Sequence, residues 1–141
     1  MVTPMPLTSF YWMILAEDDK NYYVGYKSIF YTFKGSDIDT VPKQKRELYT
    51  LKWKEKNYSP QLDFISNGYY TTQRKGDTVM FYDLRFGMTS KMSNNTLKQP
   101  LMNFCLITKD NVVQKTERQR PTDLLSKVKF GGYLEYVFVG R

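Results

Sequence analysis

The sequence predicts an α+β domain built on a curved, mainly antiparallel β-sheet with two or three short helices; an all-β fold with helical insertions is the alternative. Three observations predict it. Runs of aromatic and β-branched residues alternate with a period of two, the pattern of a half-buried strand. Short turns separate several of these runs, notably Gly76-Asp77 and Lys109-Asp110-Asn111, which marks hairpins. Helix-start signals at Thr40-Val41-Pro42, Ser59-Pro60 and Thr122-Asp123 open segments too short for a bundle. The 141 residues suit a single domain that buries roughly 70% of its unfolded surface. Residues 1–6, with two prolines, read as a leader or linker, and 7–141 as the α+β domain of about six or seven strands, against a usual sheet of about 4–6.

In chain order, Leu7 to Ala16 alternates Thr8, Phe10, Trp12, Ile14 and Ala16 with Ser9, Tyr11, Met13 and Leu15. This is a strand buried on one side and partly covered on the other. After the polar turn Glu17 to Asn21, the run from Tyr22 to Phe33 gives a second strand, with Tyr22, Val24, Tyr26, Ser28 and Phe30 on one face. Gly25 within it suggests a bulge or a close backbone approach. Gly35 to Pro42 reads as a loop. A helix capped by Thr40, with Pro42 near its first turn, is expected through Lys56, followed by a shorter one from Ser59-Pro60 that stops at Asn67-Gly68. Beyond the central hairpin come a polar loop over 88–100, a second hairpin over Leu101 to Thr116, a short helix near Asp123 to Phe130 and a last strand, Tyr133 to Val139.

The central hairpin carries the most specific residues. With Gly76 and Asp77 as its loop, Lys75 faces Thr78, Tyr70 faces Asp83 and Gly68 faces Arg85. One face then carries Tyr69, Thr71, Met80, Tyr82, Leu84 and Phe86; the other carries Tyr70, Thr72, Val79, Phe81, Asp83 and Arg85. Asp83 and Arg85 stand side by side, beside Tyr70 and opposite the vacant side-chain position of Gly68. The four make either an ion pair that fixes the strand register or a pocket in which Arg85 binds a carboxylate or phosphate. The structural role is the expectation.

S-N-G-Y-Y at 66–70, D-L-R-F-G at 83–87, P-M-P-L-T-S-F-Y-W at 4–12 and D-D-K-N-Y-Y-V-G-Y-K-S at 18–28 together resemble the C-terminal soluble part of the YdjM-like bacterial inner-membrane proteins, which are described as membrane-bound metal-dependent hydrolases. The resemblance implies a parent protein in the bacterial inner membrane whose membrane-embedded part, bearing His and Asp, holds a divalent metal. This domain would then lie on the cytoplasmic side, and the membrane part of its own parent chain would be its first partner.

The residues by themselves point away from chemistry. There is no histidine, so the commonest general base and neutral metal ligand is missing, and with it any Ser-His or Cys-His pair. Cys105 is the single cysteine and sits in the apolar run L-M-N-F-C-L-I, the setting of a buried structural thiol. No phosphate-binding glycine loop and no nucleophile elbow occur. No catalytic residue, metal ligand or cofactor is therefore assigned within this chain.

The charge points toward a surface. A net charge of +7 calls for an acidic partner, either anionic lipid or nucleic acid, or else describes a solvated face. Lys43, Lys45, Arg46, Lys52, Lys54 and Lys56, beside Tyr49 and Trp53 on the expected helix, form the basic surface best suited to lipid headgroups, with nucleic acid the less favoured partner. The function this supports is that of a non-catalytic accessory domain for binding, regulation or assembly. The alternatives are part of a hydrolase whose metal site lies in a membrane segment, and a basic nucleic-acid or anionic-lipid module.

Overall fold

The structure, a computed structural model, describes residues 1–5, 9–30, 38–54, 56–88 and 100–118. Its architecture is α+β. Strands β1 (Val2–Pro4), β2 (Tyr11–Glu17), β3 (Asn21–Ser28) and β4 (Ile38–Pro42) form a four-stranded antiparallel sheet in chain order. Then come α1 (Arg46–Thr50), β5 (Lys52–Trp53), α2 (Ser59–Ile65), β6 (Tyr70–Lys75), β7 (Thr78–Met88), β8 (Pro100–Lys109) and β9 (Val112–Arg118). The last five strands make a second sheet in the order β5-β9-β8-β7-β6, antiparallel except for the β5 and β9 pair.

The hairpins form where their turn residues place them. Tyr70 pairs with Asp83 and Lys75 with Thr78, and Gly76 at φ 57° supplies the left-handed first turn position. Asp110 and Asn111, at φ 53° and 61°, close the second hairpin as residues that tolerate this region well. Helix α2 ends as its sequence predicts, with Asn67 at φ 51° and Gly68 at φ 75° and the Gly68 amide donating to the Asp63 carbonyl at 3.0 Å.

Four expectations need correction. Residues 2–4 are a strand rather than a linker, paired with Trp12 to Ile14, and Met5 enters the core. Residues 38–42 are also a strand, because the edge of β3 takes up their backbone groups. Gly25 makes no bulge; it pairs in unbroken register with Ile14 and Ile38. The helix expected through Lys56 is only five residues long. Its first part is held extended by β4 and by Gln44, whose carbonyl accepts from the Thr72 amide. Its last part is drawn away when Leu51 turns extended (ψ 137°) and the Lys52 amide donates to the Asn111 carbonyl. Tertiary hydrogen bonds outweigh a helix propensity worth tenths of a kcal/mol per residue. The expected last helix and strand, the loop from 89 to 99 and the Tyr31 to Phe33 end of the second strand lie outside the described residues.

Two cores meet at β7. One gathers Tyr11, Met13, Leu15, Tyr22, Val24 and Tyr26 from the first sheet with Leu84 and Met88. The other joins Leu48, Leu51 and Leu62 to Tyr70, Val79, Phe81, Leu106 and Val113. β7 reaches both because its register against β8 breaks: Asp83 pairs with Met102, yet Met88 pairs with Pro100. The surplus residues bend the strand toward the first sheet. Gly87 sits in this bend at φ 84°, where a Cβ would lie 2.9 Å from the Tyr26 hydroxyl, and the Met88 amide donates to that same hydroxyl at 2.5 Å. The sheets are also stitched by Thr71, which donates to the Pro42 carbonyl, and Thr72, which donates to the Gln44 carbonyl.

Candidate functional site

The predicted pairing of Asp83 and Arg85 is present. Arg85 Nη2 donates to Asp83 Oδ2 at 2.7 Å, and Arg85 Nε and its backbone N–H both donate to Oδ1 at 3.1 Å. Asp83 is 2% exposed and the Arg85 side chain 26%. Both carboxylate oxygens are thus occupied, and the carboxylate raises the pKa of the guanidinium further. The arrangement is a bidentate pair within one strand, and it leaves no lone carboxylate for acid-base work.

Tyr70 and Gly68 take part differently from the expectation. The Tyr70 ring stacks on Phe81 at 4.8 Å, and its buried hydroxyl has no hydrogen-bond partner among the described residues. Burial raises that hydroxyl's pKa, with a smaller push from the nearby Tyr49 hydroxyl, which lies outside bonding geometry. Lys45 Nζ lies over the ring at 4.9 Å and 5.9 Å from the Tyr22 ring centre. The space beside Gly68 is taken by this ammonium, 3.6 Å from where a side chain would begin. The Tyr22 hydroxyl donates to the Gly68 carbonyl at 2.7 Å, and burial pushes its pKa up to about 12. Sequence register places Tyr70 opposite Asp83 as observed, whereas Gly68 lies in the turn that ends α2 and not in the ladder opposite Arg85; what Tyr70 and Gly68 hold is a lysine.

Without the long helix, the expected basic surface divides in two. Lys43 and Lys45, both half-buried, belong to the tyrosine cluster, and Lys43 forms an ion pair with Glu17 at 2.5 Å. Arg46, Lys52, Lys54 and Lys56 are exposed, and Lys54 and Lys56 lie apart from the tyrosine cluster. There they line a shallow groove of about 200 Å³ with Trp53, Tyr58 and Lys115.

This groove is built by the parallel pairing of β5 with β9, which sets Trp53 opposite Val113. The indole is held in one orientation: Trp53 Nε1 donates to Ser59 Oγ at 3.0 Å, and Ser59 Oγ donates to the Leu48 carbonyl at 3.1 Å. Tyr58 meets it edge-on at 5.4 Å between ring centres, a favoured aromatic geometry. Lys115 pairs with Glu117 at 2.5 Å, but both are well exposed, at 67% and 49%, so the pair is weak. The sequence flagged Lys54, Lys56 and Trp53. It missed Lys115 and the role of Tyr58, because only the long-range pairing of β5 with β9 brings them there.

A larger cleft of about 690 Å³ opens between β4 and β6, with Asp39, Gln73, Lys75 and Tyr82 in its walls. Its Thr71 and Thr72 hydroxyls are spent on Pro42 and Gln44. Cys105 is half-buried with Sγ 3.4 Å from Met80 Sδ, and burial raises its thiol pKa, the condition of an unreactive thiol. Among the described residues no cluster of three metal-ligating side chains occurs, and no helix is long and apolar enough to cross a membrane.

No protein-family model, no curated protein and no solved structure matches the chain.

Proposed function

We propose that this chain is a non-catalytic accessory domain that rests on an anionic membrane surface, with the groove around Trp53 as its contact. Its resemblance to the C-terminal part of the membrane-bound hydrolases supports the membrane side of this reading, since it implies a parent protein in a bacterial inner membrane with this domain on the cytoplasmic side. The observation that carries the reading is the meeting of Lys54, Lys56 and Lys115 around an indole fixed by Ser59 and flanked by Tyr58. Tryptophan and tyrosine favour the lipid headgroup layer, being apolar in body and polar at one edge. Each lysine held near an anionic leaflet contributes about 1 kcal/mol, so three give a preference of about 150-fold over a neutral one. The non-catalytic side rests on Asp83: the buried carboxylate best placed for chemistry is bound at both oxygens.

Sedimentation with vesicles tests the reading. The parent chain is expected to bind phosphatidylglycerol-containing vesicles and not pure phosphatidylcholine, and the triple reversal Lys54→Glu, Lys56→Glu, Lys115→Glu is expected to abolish binding with the fold intact. Equal binding to both vesicle types would remove the electrostatic argument, and tight, salt-dependent binding to single-stranded DNA alone would replace lipid with nucleic acid. Zinc retained through dialysis in clean buffer would overturn the non-catalytic reading.

A further inference from the structure

We infer that the outward face of α2 is the part of this chain that enters the lipid headgroup layer, so that the helix lies flat on the membrane between the lysines of the groove and Lys45. The inference rests on the membrane-surface reading and names the element that makes the apolar contact. Helix α2 buries Ser59 and Leu62 toward the second core, while Phe64 is 85% exposed, Ile65 54% and Tyr58 46%. Pro60 and Phe64 are four residues apart and Ile65 follows directly, all three exposed, so these side chains share the solvent side of the helix. Phe64 is the most exposed of the large apolar residues described, and it occurs next to Ile65 on a well-formed element rather than singly in a loop, which sets the pair apart from scattered surface hydrophobics.

Charge decides the occupant. At the helix start, Tyr58 shares the groove with Lys54, Lys56 and Lys115. At its end, the Gly68 amide closes the helix on Asp63, and Lys45 Nζ lies 3.6 Å from the missing side chain of that glycine. Among the described residues Lys45 has no carboxylate within ion-pair distance; its neighbours are the rings of Tyr22 and Tyr70. Asp63, half-buried, is the one acid on the helix. An apolar strip about 10 Å long bounded by ammonium groups at both ends matches a sheet of lipid phosphates over acyl chains: the lysines take phosphates while Phe64 and Ile65 displace water beneath them. A protein partner would have to offer acidic groups at both ends of one apolar groove; an anionic bilayer offers them everywhere.

The test compares the parent chain with the double variant Phe64→Ser, Ile65→Ser on vesicles of mixed phosphatidylcholine and phosphatidylglycerol. Both side chains are exposed, so the melting temperature is expected to hold, while affinity is expected to fall at least tenfold through loss of apolar burial. Phe64→Leu, which stays apolar, is expected to keep most of the binding. If the double variant binds as the parent does while the lysine reversal still abolishes binding, the inference falls and the groove alone carries the surface reading. A parent chain that elutes as an oligomer and becomes a monomer on serine substitution would assign the face to a second copy of the chain and also overturn it. A parent that binds neither kind of vesicle removes both the inference and the reading beneath it.

Discussion

Two charged regions of this molecule are assembled in opposite ways. Asp83 and Arg85 come from one strand, two residues apart, and satisfy each other within the fold. Lys54, Lys56 and Lys115 come from chain segments some sixty residues apart and meet because β5 pairs with β9; among the described residues their one ion-pair partner is the exposed Glu117 beside Lys115. A charge pair two residues apart on a strand is spent on structure where it is buried, as at Asp83 and Arg85; the same spacing in the open, at Lys115 and Glu117, gives only a weak contact. A cluster gathered by tertiary pairing remains available to a partner.

Arg85→Leu should cost the most stability. The substitution leaves the buried Asp83 without its counter-charge, holding only the backbone N–H of residue 85, which costs about 3–5 kcal/mol; a denaturant melt should show it, and a variant that melts within a degree or two of the parent would place the pair with the surface charges instead. Gly87→Ala separates charge from shape in the same strand. It forces a side chain into a left-handed position against the Tyr26 hydroxyl, with an expected loss of about 1–3 kcal/mol and no change in vesicle binding; an unchanged melt would show that the β7 bend adapts freely.

Asp18 is a carboxylate satisfied locally but in water. Its Oδ1 accepts from the Lys20 and Asn21 amides, and its Oδ2 accepts from the Tyr23 hydroxyl at 2.6 Å; these bonds, that of Tyr23 first, lower its pKa from 3.8 to about 2. A lowered folded pKa means that the contribution to stability is present above the unfolded value near 3.8 and is lost as pH falls through about 2. Because the group is exposed, the effect should be local: amide exchange at Lys20 and Asn21 should quicken, relative to the strand amides, across that window. Uniform behaviour from pH 5 to 2 would show the turn independent of the carboxylate. The smallest expected effect belongs to the triple lysine reversal, which should shift stability by no more than about 0.5 kcal/mol.

The sequence made the hairpins legible because their information is local. Gly76 and the Asp110-Asn111 pair fix turns, and a period of two then determines every face, which is why the Tyr70 and Asp83 register and the Asp83 to Arg85 pair could be read directly. The helix through Lys56 could not be read, since its residues are good helix formers and what overrides them is distant: Tyr22 opposite Val41, Thr72 against Gln44, Asn111 against Lys52. The strand at Val2–Pro4 was hidden for a related reason. Proline argues against a central strand but is tolerated at an edge, and β1 is the last strand in the described order of its sheet. Of the candidate groove, its lysines and Trp53 were visible as a composition, but their geometry was not.

The bend in β7 has a consequence for how the molecule comes apart. A strand whose first half is laced to β6 and β8 while its last residues, Leu84 and Met88, fill the core beneath the other sheet cannot peel from one layer without opening the other. Separate opening of the two layers would need a flexible joint between them, and here the joint is itself hydrogen-bonded and buried, through Tyr26 and the Met88 amide. The layers therefore share one fate as a single cooperative unit. Slow-exchanging amides of β3 and β7 should report the same opening free energy, with the short outer strands β1 and β5 fraying below it.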